Sequence, residues 1–411
     1  MKNPGFLFFV FFICACASFS AKDPVSDTYY VMAGGSDRNN GLSIETPFRS
    51  LFKALVMASE GPVKIITILG KLDVASEQST DASRVFIIQG TGKDRILIRG
   101  MALNDEPAAL SAEGSGRRAV LVKGRVNIRL EDIEISGGAA SDEGGGLGIG
   151  SGSLVTLGPG AVIRNNRSGG LGGGVVVAPG GSLFIEGGRI LDNFSAAMGG
   201  GVAVVGESSV LTIRDGEISN NHAQGGGGVA IRQGGVFTLS GGTIHDNTAD
   251  LAGGGVVLNQ AGILTMEGGL IRGNRSSGSG GGVALIDQGK ILLKAGEIHG
   301  NRAAEHGGGV ASDNTSAIDI QGGYISANRA ASQGGAVFTA GSFVKSAGVI
   351  YGNEAPEDQA NIAAFGAAVF IYRGEGTYKI REQSAGESLI LDASANDGWI
   401  LEVPREPDGE E

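Results

Sequence analysis

The chain has 411 residues, of which 74 are glycine, ten are proline and one is tryptophan, and its formal net charge is −11. Glycine at this frequency is compatible with collagen or disorder, but it does not recur at every third position, and 41% of the residues are hydrophobic, set in alternating runs. The acidic balance excludes the broad basic face that a nucleic-acid partner requires.

Residues 1–20 read as an export signal. Lys2 supplies the positive start and Phe6 to Ile13 the apolar run, which is too short to span a bilayer as a mature helix. Ile13-Cys14-Ala15-Cys16 contains both cysteines and resembles a bacterial lipobox, which makes Cys16 the residue to be lipidated after cleavage. Cys14 is an unusual occupant of its position, so ordinary cleavage near Ala17 or Ser20 stays open, leaving a secreted or periplasmic domain. Either way the mature body contains no disulfide. Residues 21–62 read as an N-terminal cap. Its helix is expected over 47–59, with Thr46 as N-cap, Pro47 at the first helical position, and Leu51, Leu55 and Ala58 on one face. Residues 63–135 hold irregular early coils, with strands expected over Lys64–Leu69, Arg84–Ile88 and Arg95–Ile98.

From residue 136 to 353 a 27-residue period takes over. Gly-Gly-Gly-Val returns at Val175, Val202, Val229, Val256, Val283 and Val310, and in the variant Gly-Gly-Ala-Val at Val337. Leu147 stands in the same role one slightly longer step before. Between these anchors isoleucine is followed three residues later by asparagine, at Asn166, Asn193, Asn221, Asn247, Asn274, Asn301, Asn328 and Asn353. A fixed period of this size means a solenoid in which one repeat is one coil, and it overrides the two or three domains that length alone suggests.

Within a repeat the apolar residues alternate with period two: Val175 with Val177, Leu183 with Ile185, then Ile190 opening a third strand. The expected fold is all-β: a right-handed parallel β-helix with three short strands per coil and a short N-terminal capping helix. Helical repeats are excluded because the segments are short and glycine-rich. Glycines fit the corners. The asparagines are expected to tolerate the left-handed bend and to hydrogen-bond coil to coil as a structural ladder. Residues 354–411 hold an insertion, final coils and the acidic tail 402–411.

The segment Tyr29-Tyr30-Val31, Gly34-Gly35-Ser36-Asp37, Asn39-Asn40-Gly41, Thr46-Pro47-Phe48 and Leu51-Phe52-Lys53-Ala54 resembles the opening of bacterial pectin-lyase-like β-helix proteins. The Ile-x-x-Asn and Gly-Gly-Gly-Val signals are similar to the Phe-x-x-Asn and Gly-Gly-Ala-Ile repeat of polymorphic outer-membrane proteins, with Gly334-Gly335-Ala336-Val337 coming nearest. The resemblance covers residues 29–353. Those outer-membrane proteins end in a transmembrane β-barrel, for which the stretch after residue 360 lacks the length, so a membrane attachment here rests on Cys16. The pectin-lyase-like fold also implies lyases and hydrolases, with clustered aspartates, or a calcium site with a basic residue, on one outward sheet face.

The outward position two after each isoleucine reads Asn165, Asp192, Asn220, Asp246, Gly273, Gly300. Asp192 and Asp246 stand two coils apart, roughly 10 Å at the strand spacing, near the upper separation of inverting glycosidases. Both also sit at a turn, where aspartate is common. His222 and His245 lie nearby. Four residues before the isoleucine, Glu186 with Arg214 and Glu267 with Lys294 are expected to pair between coils. Four residues after it, Arg275, Arg302 and Arg329 follow on consecutive coils, and three like charges in line call for neutralisation. Glu305 and Glu354 are local candidates, and an anionic glycan is the sharper one.

Asp37 to Gly41 reads as an Asx-rich turn rather than a calcium site. His299 and His306 lack metal-ligand spacing, so neither metal nor cofactor is expected. The function that follows is an exported surface or outer-membrane lipoprotein, an adhesin-like or structural scaffold for a host protein or anionic glycan, with no nucleic acid partner. The alternative is a polysaccharide lyase or glycoside hydrolase using Asp192 and Asp246.

Overall fold

The computed structural model describes residues 27–75, 85–90, 95–352 and 355–372, with the backbone of 378–380 and 399–400. Cys16, Arg84, Asn353, Glu354 and the acidic tail lie outside the described residues. Alternating runs joined by glycine-rich corners wind the chain into stacked coils. The named strands pair in parallel and build three sheets of 18, 12 and 8 strands. Twelve strands at the parallel spacing make a stack roughly 50 Å long.

In one regular coil Val175–Val177 joins the 12-stranded sheet, Ser182–Leu191 the 18-stranded sheet, and Phe194–Ser195 the 8-stranded sheet. The two strands expected around Leu183 and Ile190 are thus one bent strand here. Its ladder to Val210–Ser219 slips between Ile185 and Arg189, where Gly187 takes φ 103°. The third strand is the two-residue piece after the asparagine, too short to show an alternation of its own.

Register carries like residues onto like. Val175 pairs with Val202, Leu183 with Leu211 and Ile190 with Ile218, and all six are fully buried. Each such aliphatic side chain contributes about 1.5–3 kcal/mol on leaving water. The middle residue of the valine strand faces outward and is nevertheless buried: Val176, Ala203, Ala230, Val257 and Ala284 lie beneath Leu171, Met198, Ala252 and Ile286. Both faces of that sheet are covered, as parallel sheets require.

The glycine triplets have three separate causes. Gly253 takes φ 66°, a Cβ on Gly254 would fall 2.5 Å from the Arg275 carbonyl, and one on Gly255 would fall 2.8 Å from the Gly282 oxygen.

The capping helix α1 spans Leu51–Glu60 and starts later than the expected residue 47. Residues up to Phe48 serve the first strand instead: the Phe48 amide donates to Tyr30 O, and the Met32 amide to Phe48 O. Ser50 is therefore the N-cap, its hydroxyl accepting from the Lys53 amide at 3.2 Å. The Asp37 carboxylate accepts from the Arg49 amide, the Ser50 amide and the Ser50 hydroxyl at 3.0, 2.9 and 2.7 Å. Leu51, Ala54, Leu55 and Ala58 are buried on the first coils. The early strands run Ile65–Leu69, Phe86–Gln89 and Arg95–Met101. Among the described residues no helix is long and apolar enough to cross a membrane.

Candidate functional site

One corner of each coil is held by the asparagine ladder. The Asn247 amide and Nδ2 both donate to Asn274 Oδ1 at 3.0 Å, and Asn274 in turn donates to Asn301 in the same way. Each Nδ2 also donates to an isoleucine carbonyl of an earlier coil, as Asn274 does to Ile244 O at 3.0 Å. The rungs run Asn166, Asn193, Asn221, Asn247, Asn274, Asn301 and Asn328, all at most 2% exposed. The next rung is Asn361 rather than Asn353: Asn361 Oδ1 accepts from the Asn328 amide at 2.8 Å. The insertion lengthens the step to 33 residues there, and the signal that marks it is Gly366-Ala-Ala-Val369, whose valine pairs with Val337.

The left-handed bend belongs to the residue before each rung, not to the rung. Asn165, Asp192, Asn220, Asp246 and Ala327 have φ 55°, 55°, 53°, 52° and 54°, and Gly273 and Gly300 have 64° and 63°. Asp192 and Asp246 are thus two members of one turn column, a place that short polar side chains and glycine tolerate. The Asp246 carboxylate lies 2.7 Å from His245 Nδ1, and His245 Nε2 lies 3.1 Å from Glu217 Oε1. His222 stands beyond the corner with Asp250 at 3.3 Å. His299 Nδ1 meets the Ser326 hydroxyl at 2.9 Å, and the His306 ring stacks on Phe338 at 4.6 Å. Among the described residues no three His, Cys, Asp or Glu side chains are gathered as for a metal ion.

On the long sheet two acids are paired with bases of other coils. Glu186 receives Arg129 at 2.8 Å and Arg214 at 2.9 Å, and Glu267 receives Lys294 at 3.1 Å. The hydrogen bond from Arg129, aided by Arg214, holds the Glu186 carboxyl below the usual carboxylate range.

The narrow sheet differs. Arg275, Arg302 and Arg329 pair backbone to backbone on consecutive coils, and all three are exposed. No carboxylate among the described residues forms an ion pair with them. Glu305, one of the expected neutralisers, instead accepts from the Ser279 hydroxyl at 3.3 Å. Arg275, Arg302 and Arg329 line a groove of about 760 Å³ together with Ser277, Ala304 and Ala331, with Thr248 and Ile362 at its two ends.

The same column holds a feature that the arginines alone do not announce. Arg167, Phe194 and His222 occupy the three coils before Thr248. Arg167 lies over the Phe194 ring at 4.3 Å, and the rings of Phe194 and His222 stack at 5.5 Å. The signal was the offset itself, since these residues also stand four after an isoleucine.

Stacked parallel coils, a buried asparagine corner and outward columns define a β-solenoid. The chain belongs to the right-handed β-helix family: the model for a right-handed β-helix region matches residues 91–268 and, overlapping, 173–382. No curated protein matches it. Among solved structures it is similar to the native GH136 lacto-N-biosidase of Eubacterium ramulus, at 12% identity and a TM-score of 0.34, over 86% of this chain and 68% of that one.

Proposed function

We propose that this β-helix is an exported surface scaffold, held to a membrane by a lipid on Cys16, which meets an anionic partner through Arg275, Arg302 and Arg329. The observation that carries the reading is three guanidinium groups in line, without ion-pair partners among the described residues, on a chain whose net charge is −11. Like charges one strand apart oppose folding. A ligand bearing carboxylate, sulfate or phosphate groups relieves that opposition, and the guanidinium fork suits such groups. The repetitive outward surface fits display along a solenoid.

The anchor is tested by detergent phase partitioning of cells expressing the full chain. The native protein is expected in the detergent phase and Cys16→Ser in the aqueous phase, and an unchanged Cys16→Ser protein would remove the lipid from the proposal. The alternative, cleavage of an extracellular glycan, draws on the acid–imidazole chain Glu217–His245–Asp246. It predicts new reducing ends from a polysaccharide panel that vanish in Asp192→Asn or Asp246→Asn, whereas the scaffold predicts retention without cleavage.

A further inference from the structure

We infer that the acidic segment 402–411 of this chain docks on the arginine column, its carboxylates against Arg302 and Arg329, and that an anionic partner binds by displacing it. This rests on the reading of the arginine face given above and adds its regulation.

Charge selects the two surfaces. Glu402, Glu406, Asp408, Glu410 and Glu411 stand against Arg405 alone in the segment. Between residues 301 and 372 the lysines and arginines are Arg302, Arg329 and Lys345, and acids outnumber them. Lys345 is 1% exposed, so its ammonium offers nothing to a carboxylate outside. Arg302 and Arg329 are exposed and form no ion pair among the described residues. These two, with Arg275 one coil before them, are therefore where this part of the rod attracts a negative segment.

The segment starts within reach of the column. Trp399–Ile400 pairs with Val369–Phe370, and Val369 pairs with Val337, the anchor that follows Arg329 on the same coil. Ile400 thus stands two coils beyond Arg329, roughly 10 Å along the rod, and three beyond Arg302, roughly 14 Å. Residues 401–411 span at most about 40 Å, which covers that step and the crossing from the 12-stranded sheet to the narrow one. The face they meet has room, because the exposed neighbours of the arginines in the groove are the small residues Ser277, Ala304 and Ala331.

Carboxylate and guanidinium form matched forks, but each such pair at an exposed site is weak and screened by salt. The tether offsets that weakness: a segment joined to its site by a few residues meets it at an effective concentration of the order of millimolar. The same acids on a second copy lack this advantage when the chain is dilute. Contacts that are weak singly are also readily exchanged for those of a multivalent anion. A groove free about one fifth of the time binds its partner about fivefold more weakly than an open one.

The test is disulfide trapping in the chain from Ala17 onward, which has no cysteine of its own. Ala304→Cys/Gly409→Cys joins the groove to the segment, and Gln321→Cys/Gly409→Cys places the first cysteine on the long sheet, at a position that is also exposed. In oxidised glutathione the groove pair is expected to close within one chain at least about fivefold faster than the long-sheet pair. That advantage should vanish in Arg302→Gln/Arg329→Gln, and again when Glu402, Glu406, Glu410 and Glu411 are changed to Gln and Asp408 to Asn. Both arginines are exposed, so their variant is expected to keep the native melting curve, which is recorded alongside. Isothermal titration with inorganic polyphosphate is the second readout. The neutralised segment should bind it about fivefold more tightly than the native chain does, and Arg302→Gln/Arg329→Gln should remove the gain. Equal closure rates for the two pairs, or covalent dimers in place of closed chains, would overturn the inference. A gain that persists without the arginines would come from net charge alone and would overturn it too. Polyphosphate binding that is lost with the arginines but indifferent to the charge of the segment would overturn the inference and leave the arginine face standing. Trapping without polyphosphate binding, by the native or the neutralised chain, would overturn the displacement and with it the reading of this face as a site for an outside anion.

Discussion

Lys345 occupies an interior column otherwise filled by Ile185, Ile213, Leu239, Met266, Leu293 and Ile320, and it is 1% exposed. Its ammonium donates to Gly348 O at 2.8 Å, one acceptor for a group with three protons to place. Burial lowers its pKa from the ordinary lysine value. Unfolding therefore takes up a proton between the lowered folded value and the unfolded value near 10.4, and stability rises with pH across that window. Lys345→Met restores the column and is expected to raise stability by about 1 kcal/mol or more. It should also flatten the alkaline rise in melting temperature, and a variant that melts no higher than the native chain would refute this account. At this scale the outward charges were harder to read than the inward columns. Arg275, Arg302 and Arg329 were visible as a column, but whether Glu305 pairs with them depends on where it points, and it turns to Ser279.

At the scale of elements, the asparagine ladder shows how a coil depends on its neighbours. Asn274→Ala removes the acceptor for the Asn247 amide and the donor to Ile244 O in a buried corner, while Asn247 Nδ2 keeps Ile218 O and His245 O. At about 1–3 kcal/mol for each buried group left unsatisfied, the loss is expected to reach about 2 kcal/mol or more. Urea denaturation measures it, and a midpoint equal to that of the native chain would show that the ladder is dispensable. The regular rungs were legible because each stands three residues after an isoleucine. Asn361 was not, because the insertion breaks that spacing, and only the pairing of Val369 with Val337 restores the frame. The capping helix was foreseen, but its start moved to Leu51 because tertiary pairing of Phe48 with the first strand outweighed the helix-start signal of Thr46-Pro47.

At the scale of the whole molecule, charge and shape divide the surface. On the long sheet Glu186 and Glu267 pair with bases of other coils, while on the narrow sheet three exposed arginines form no ion pair among the described residues. The sequence by itself determined the coil, its 27-residue period and its inward columns. Every coil solves the same local problem, and stacking at constant period sets like residues on one another. The tertiary structure decided the rest: the burial of both faces of the valine sheet, the rung at Asn361, the bend at the residue before each rung, and the groove where three arginines form no ion pair with a carboxylate among the described residues. Those outcomes depend on side chains contributed by neighbouring coils and on the path of one insertion, neither of which is encoded in the spacing within a single repeat.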